Sequence, residues 1–250
     1  GSLQLGYGAT LAILSPFFLE ALRRAGGMGV GILSLPVYAA IVMSGHQSSA
    51  VLALIGLAGW TMLALRNKEV GAKRQVTGFV ISAIIGLLLG VYLSVVTGQV
   101  STLAEAPARY QSFLYQSQLW ELSWQAFMDH WLTGVGMRGF GTYALATDAS
   151  TIPGLAETWH SHLTILEVIS ETGLVGLIGY GLLLRWLWGY VQDDRMHVAV
   201  AGLTALLAVF PLGTAVGMYS YIGGNLIFLT FALLIALDRD CPHVTETSAP

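Results

Sequence analysis

The chain has 250 residues, 55% of them hydrophobic and only 10% charged, with a net charge of -3 and a mean hydropathy of +0.68. A soluble domain carries about 25% charged residues, so this chain lacks the polar surface to face water and reads as an integral membrane protein. The single cysteine, Cys241, excludes an intramolecular disulfide and a metal-thiolate site, and no nucleic-acid partner is expected.

The chain opens on Gly1-Ser2 and runs at once into apolar sequence. There is no basic region, short apolar core and cleavage site, so no signal peptide is expected, and the abrupt start predicts that upstream helices are missing. Seven apolar runs approach the length of about 20 residues needed to cross a bilayer. They are Leu3–Leu22, Gly26–Ser44, Ser49–Leu65, Thr77–Thr97, Leu163–Trp188, Val198–Met218 and Ile222–Leu237. If they alternate, Arg23, Arg24, Arg66, Lys68, Lys73, Arg74, Arg185, Arg195 and Arg239 share one side, and only Arg109 and Arg138 take the other. Nine against two places the first side in the cytoplasm. The expected fold is therefore all-α: one polytopic transmembrane bundle over residues 1–250, with a large structured extracytoplasmic loop at about 98–162. The tail 238–250 is expected to be cytoplasmic and disordered.

Within that loop, Trp120, Trp124, Phe127 and Trp131 recur at helical spacing over Ser117–Trp131, while Glu121, Gln125 and Asp129 fall on another face. Indole rings favour the headgroup layer, where an apolar body and a polar N–H are both satisfied. The segment reads either as an interfacial helix on the outer leaflet or as a helix packed on the bundle. Next comes Leu132-Thr-Gly134-Val-Gly136-Met-Arg138-Gly139-Phe140. Three glycines around an arginine permit a tight turn whose backbone N–H groups, Gly136 among them, suit an anion. The alternative is that Arg138 pairs with Asp129 or Glu157 and pins the loop.

The chain returns to the membrane at His160-Ser-His162-Leu-Thr-Ile-Leu-Glu167-Val-Ile-Ser-Glu171-Thr-Gly173-Leu-Val-Gly176. Ionisable side chains cost on the order of 2.5–3.5 kcal/mol at the bilayer centre, so four within twelve positions point to use. On a helix from about His160, positions 160, 164, 167 and 171 form one stripe, which groups His160, Glu167 and Glu171 and turns His162 elsewhere. The bland alternatives are an interfacial histidine pair and glutamates that cap nearby N–H groups or meet Arg109. Gly173, Gly176, Gly179 and Gly181 predict close helix approach. Two histidines at i,i+2 point apart and no third ligand stands out, so neither a metal nor another cofactor is expected.

Leu132–Phe140 followed by His160–Gly176 resembles the O-antigen ligase and O-antigen polymerase family of bacterial envelope glycosyltransferases. Those proteins carry a "P-L-T-G-V-G-x-x-x-F" element, then "H-x-H-N" leading into "L-E-x-x-x-E-x-G-x-x-G". Ser44-Gly-His-Gln47-Ser-Ser-Ala50-Val-Leu-Ala resembles the family's "S-G-x-R-S-A-L-L", so the likeness runs from Ser44 to about Leu184. It implies a multi-helix enzyme that moves a glycan from an undecaprenyl-diphosphate carrier to a lipid A-core or a growing O-antigen chain. The site would lie on the periplasmic face of the inner membrane, among membrane lipids. It assigns His162 as the base and Arg138 and Arg109 as the diphosphate clamp, with His160, Glu167, Glu171, Gly136, Trp120 and Trp124 around the substrate. An imidazole suits the proton of a sugar hydroxyl, and guanidinium groups suit a departing diphosphate.

The chain departs from the family pattern at four positions. Leu163 replaces Asn, Gln47 and Gln116 stand where relatives have Arg, and Trp131 replaces Pro. Fewer arginines weaken diphosphate binding, since a hydrogen bond to a charged group contributes about 1.5–3 kcal/mol. Two readings therefore stand beside the enzyme. One is a transporter or channel using His160, Glu167 and Glu171. The other is a catalytically inactive scaffold for envelope assembly.

Overall fold

The computed structural model describes residues 2–26, 28–45, 47–66, 72–97, 106–147, 161–211 and 221–239. Among these the regular elements are all helical, and the fold is all-α. Helix α1 (Ser2–Ala25) leads through a 3-10 turn at Met28–Leu33 into α2 (Ser34–Met43). Then follow α3 (Gln47–Arg66), α4 (Ala72–Val96), α5 (Ala106–Asp129), α6 (Phe140–Ala146), α7 (Thr164–Val191), α8 (Met196–Ala208) and α9 (Tyr221–Arg239).

Each expected span overlaps a helix, although Gly26–Ser44 begins as a 3-10 turn, and among the described residues three helices are long and apolar enough to cross a membrane: Ser48–Arg66, Lys73–Val96 and Thr164–Val191. An unbroken helix suits that setting because it satisfies its own backbone polar groups. The apolar stretches Gly31–Met43 and Met196–Ala208 are shorter, about 20 Å each at 1.5 Å per residue against a hydrocarbon core of about 30 Å. The sixth span was expected to run to Met218, but α8 ends at Ala208, just before Pro211, whose ring disfavours helical geometry in the residue ahead of it. Asp238 and Arg239 belong to α9, and residues 240–250 of the expected tail lie outside the described residues.

Helix α8 is the axis of the bundle. Val198 to Ala205 are buried without a gap, as befits a helix that is apolar on every side. It joins two cores. One is built from Leu19, Ile41, Leu57, Trp60 and Phe79 with Leu203 and Leu207; the other from Val168, Tyr180 and Leu187 of α7 with Val198, Ala201 and Leu234. Outward, α4 presents Ile81, Ile85, Leu88, Val91 and Val95, an apolar face suited to lipid.

Close helix approach falls on α4, and on Gly202 of α8 against Tyr190, rather than on Gly179 and Gly181 of α7. A Cβ on Gly86 would lie 2.4 Å from the Leu35 carbonyl oxygen, and one on Gly90 2.7 Å from that of Ala39. Gly86-Leu-Leu-Leu-Gly90 is thus a small-xxx-small seam against α2. Gly179 and Gly181 have nothing within 4 Å, so the expectation of tight packing there does not hold.

The two ends of the bundle differ in charge. At one end Arg23 and Arg24 pair with Glu20, each at 2.9 Å. Arg66 donates to the carbonyls of Gln192 and Asp193, and Arg195 bridges Asp193 and Asp238. At the other end the Ile165 N–H, in the first turn of α7, donates to the Pro211 carbonyl at 3.0 Å. The candidate site lies at this second end.

Candidate functional site

Helix α7 is broken at Gly173, whose φ of 63° and ψ of -156° belong to a region that essentially only glycine visits. An unbroken helix would bond Leu174 N–H to Ser170 and Val175 N–H to Glu171. Instead the chain at 131–136 supplies all four partners. Val135 N–H donates to the Ser170 carbonyl and Gly136 N–H to the Glu171 carbonyl, both at 2.9 Å. In return Leu174 N–H donates to Trp131 at 2.8 Å and Val175 N–H to Leu132 at 3.2 Å. Broken backbone at this depth survives only when protein satisfies it.

Two glycines make the interlock possible. A Cβ on Gly173 would sit 2.6 Å from the Gly134 nitrogen, and one on Gly134, itself at φ 68°, would sit 2.2 Å from the Glu171 carbonyl carbon. This is the physical reason for Gly134 in the turn motif and Gly173 in the helix motif.

The turn does not form an open anion cradle. Gly134 N–H donates to the His130 carbonyl at 2.7 Å, Gly136 N–H is held by Glu171, and Gly139 N–H donates to the Gly136 carbonyl at 2.8 Å. Arg138 N–H donates to Glu171 Oε2 at 2.7 Å. The acceptor at the turn is the carboxyl group of Glu171, only 1% exposed. What remains outward is the Arg138 side chain, exposed and, among the described residues, in no ion pair. Asp129 instead accepts the Tyr143 hydroxyl at 2.5 Å, and Glu157 lies outside the described residues.

Helix α7 begins at Thr164, not at His160. The stripe therefore holds for Thr164, Glu167 and Glu171, all buried on one face, while His160 lies outside the described residues. His162 sits in the bend before the helix, half-buried and at φ 55°, so its direction is set by a turn rather than by helical phase. Ser161 is fully buried and donates to the Leu163 carbonyl at 3.0 Å. Leu163 is the N-cap and offers no side-chain acceptor, which an Asn would. The Pro211 carbonyl takes up the Ile165 N–H in its place.

Helix α5 packs against α7 and α6. Its buried face is Leu119, Leu122, Ser123 and Ala126, so the aromatic stripe is not the packing face. Trp124 and Trp131 stand outward, 52% and 55% exposed, and Gln116 is exposed as well. Trp120 is half-buried, with its Nε1 enclosed and without a hydrogen-bond partner. Arg109 lies in the first turn of α5, which runs as one helix from Ala106 to Asp129, and its side chain lies outside the described residues. Gln47 opens α3, and its side chain lies outside the described residues.

A cluster missed in the sequence sits beside Arg138. Tyr143 bonds Asp129, and its ring meets that of His130 edge-on at 6.3 Å. Burial, and then the bond to Asp129, pushes the Tyr143 phenol up to about 12. A difference titration of wild type against Tyr143→Phe should show one tyrosine ionising near pH 12, and Asp129→Asn should lower it. An ordinary midpoint near 10 in wild type would remove the bond. The folded value is raised, so the associated stabilisation is complete below about pH 10 and is lost as pH rises toward 12.

The family described as O-antigen ligase matches residues 30–181. No curated protein and no solved structure matches. The matched span contains α2 to α6, the interlocked turn, His162 and the break at Gly173. On that match, over more than half of its length, the chain belongs to the O-antigen ligase family.

Proposed function

We propose that this protein transfers a glycan from an undecaprenyl-diphosphate carrier to an acceptor sugar on a lipid A-core or a growing O-antigen chain, with His162 as base and Arg138 as diphosphate clamp. Membership in the family implies glycan transfer of the ligase or polymerase kind. One observation supports the residue roles. Among the described residues, Arg138 and His162 are the two non-glycine positions held at positive φ, 60° and 55°. Such conformations cost about 1–3 kcal/mol and persist where the surroundings impose them, most often at functional sites.

In the reaction, the acceptor hydroxyl oxygen forms a bond to the anomeric carbon of the donor while the bond from that carbon to the diphosphate oxygen breaks. The hydroxyl proton passes to the His162 imidazole. The lipid diphosphate leaves with the bonding electrons, and its added charge meets the exposed Arg138 guanidinium. The proposal includes seven crossings of the bacterial inner membrane, with the basic end in the cytoplasm and the interlocked turn facing the periplasm. The charge difference between the two ends supports that orientation.

The test is transfer in a membrane preparation with an undecaprenyl-diphosphate oligosaccharide and a lipid A-core acceptor. Arg138→Ala is expected to raise the donor KM by about 10-fold or more, the equivalent of one hydrogen bond to a charged group, with an unchanged thermal midpoint. An unchanged KM would take Arg138 out of the clamp. A wild type that binds donor without transferring it would favour the inactive scaffold.

A further inference from the structure

We infer that Glu171 is a positioning residue that never touches substrate: it holds the Arg138 backbone in its left-handed conformation and so aims the guanidinium at the donor diphosphate. This rests on the clamp reading and adds the group that makes the clamp work. Glu171 grips the turn twice. Its main-chain carbonyl accepts from Gly136 N–H at 2.9 Å, and its carboxylate accepts from Arg138 N–H at 2.7 Å. The two grips straddle Met137, so one residue fixes both sides of the peptide units that lead into Arg138.

The turn needs such a hold. Gly136 and Gly139 flank Arg138 and leave the backbone many alternatives, while Arg138 itself sits where a non-glycine residue is rare. A short hydrogen bond from the Arg138 N–H to a buried side chain, at 2.7 Å, supplies that hold. Burial separates this role from substrate contact. Glu171 is 1% exposed while the Arg138 side chain is exposed, so the diphosphate reaches the guanidinium and not the carboxylate beneath it. Glu167 lies one turn earlier on the same buried face, closer to the start of the helix.

A double-mutant cycle with Glu171→Gln and Arg138→Ala, read as donor KM, kcat and thermal midpoint, tests the inference. Glu171→Gln should raise donor KM by about 10-fold in the wild-type background, and by less than about twofold once Arg138 is alanine, because coupled residues are not additive. Equal effects in both backgrounds would mean that Glu171 acts on its own, and the inference would fail. A lowered midpoint with donor KM unchanged would make the role merely structural and would overturn the inference as well. If Glu171→Gln does not accumulate in membranes, Glu171→Asp reads the same cycle, since it keeps the charge and shortens the reach. An Arg138→Ala variant with normal donor KM would fail the clamp reading itself, which separates the two failures.

Discussion

His162→Asn is expected to lower glycan transfer by about 10²–10⁴-fold, the usual contribution of a general base, while the protein keeps its fold. Asparagine is the informative replacement because it tolerates the left-handed region that His162 occupies at φ 55°. It removes the imidazole without adding strain. His162→Gly relaxes the backbone further and should be equally inactive. Added imidazole should then restore part of the transfer in the glycine variant if the missing element is the base. The loss should appear in kcat with little change in donor KM, since the proton moves only as the new bond forms. Near-normal turnover in His162→Asn would end the assignment of His162 as base, and His130, exposed beside Tyr143, would become the next histidine to examine.

How much of this was legible in the sequence depends on the type of interaction. Hydropathy located the helices, because a 20-residue apolar run has few alternatives. It overran α8, where Pro211 stops the helix. The seam at Gly86 and Gly90 was readable as small-xxx-small spacing, yet the glycines of α7 drew attention instead, and two of those, Gly179 and Gly181, meet nothing. Helical phase grouped Glu167 with Glu171 correctly, since both lie on α7, but it could not direct His162, which precedes the helix by a non-helical bend. The turn motif was found, and its chemistry was partly misread. Spacing alone shows that Gly134–Gly139 can expose N–H groups; it does not show that backbone carbonyls take those of the glycines and that the Glu171 side chain, 33 positions from Arg138 in the chain, takes that of Arg138.

The other large effect is expected at the interlock. Gly173→Ala should destabilise the protein by about 4 kcal/mol, and Gly134→Ala by a similar amount. Two contributions add. The backbone at Gly173 lies where a side chain costs about 1–3 kcal/mol, and the added Cβ would stand 2.5 Å from the Leu132 carbonyl carbon, so the strands of the interlock must part. Parting weakens the four hydrogen bonds that join 131–136 to the break, each contributing roughly 1 kcal/mol net. It also withdraws Glu171 from Arg138, so transfer should fall along with stability. Gly179→Ala and Gly181→Ala are the controls, on the same helix with nothing within 4 Å. There alanine should be neutral or stabilising by up to about 1 kcal/mol. The measurement is the thermal midpoint of each variant in one detergent, with donor KM beside it. If Gly173→Ala melts with the Gly179→Ala control, the break in α7 is not held by the turn, and the path from Gly134 through Glu171 to the guanidinium loses its foundation. A large drop confined to Gly134→Ala and Gly173→Ala would instead tie both motif glycines to one device, in which a helix is broken so that its freed carbonyls can hold the loop that presents Arg138.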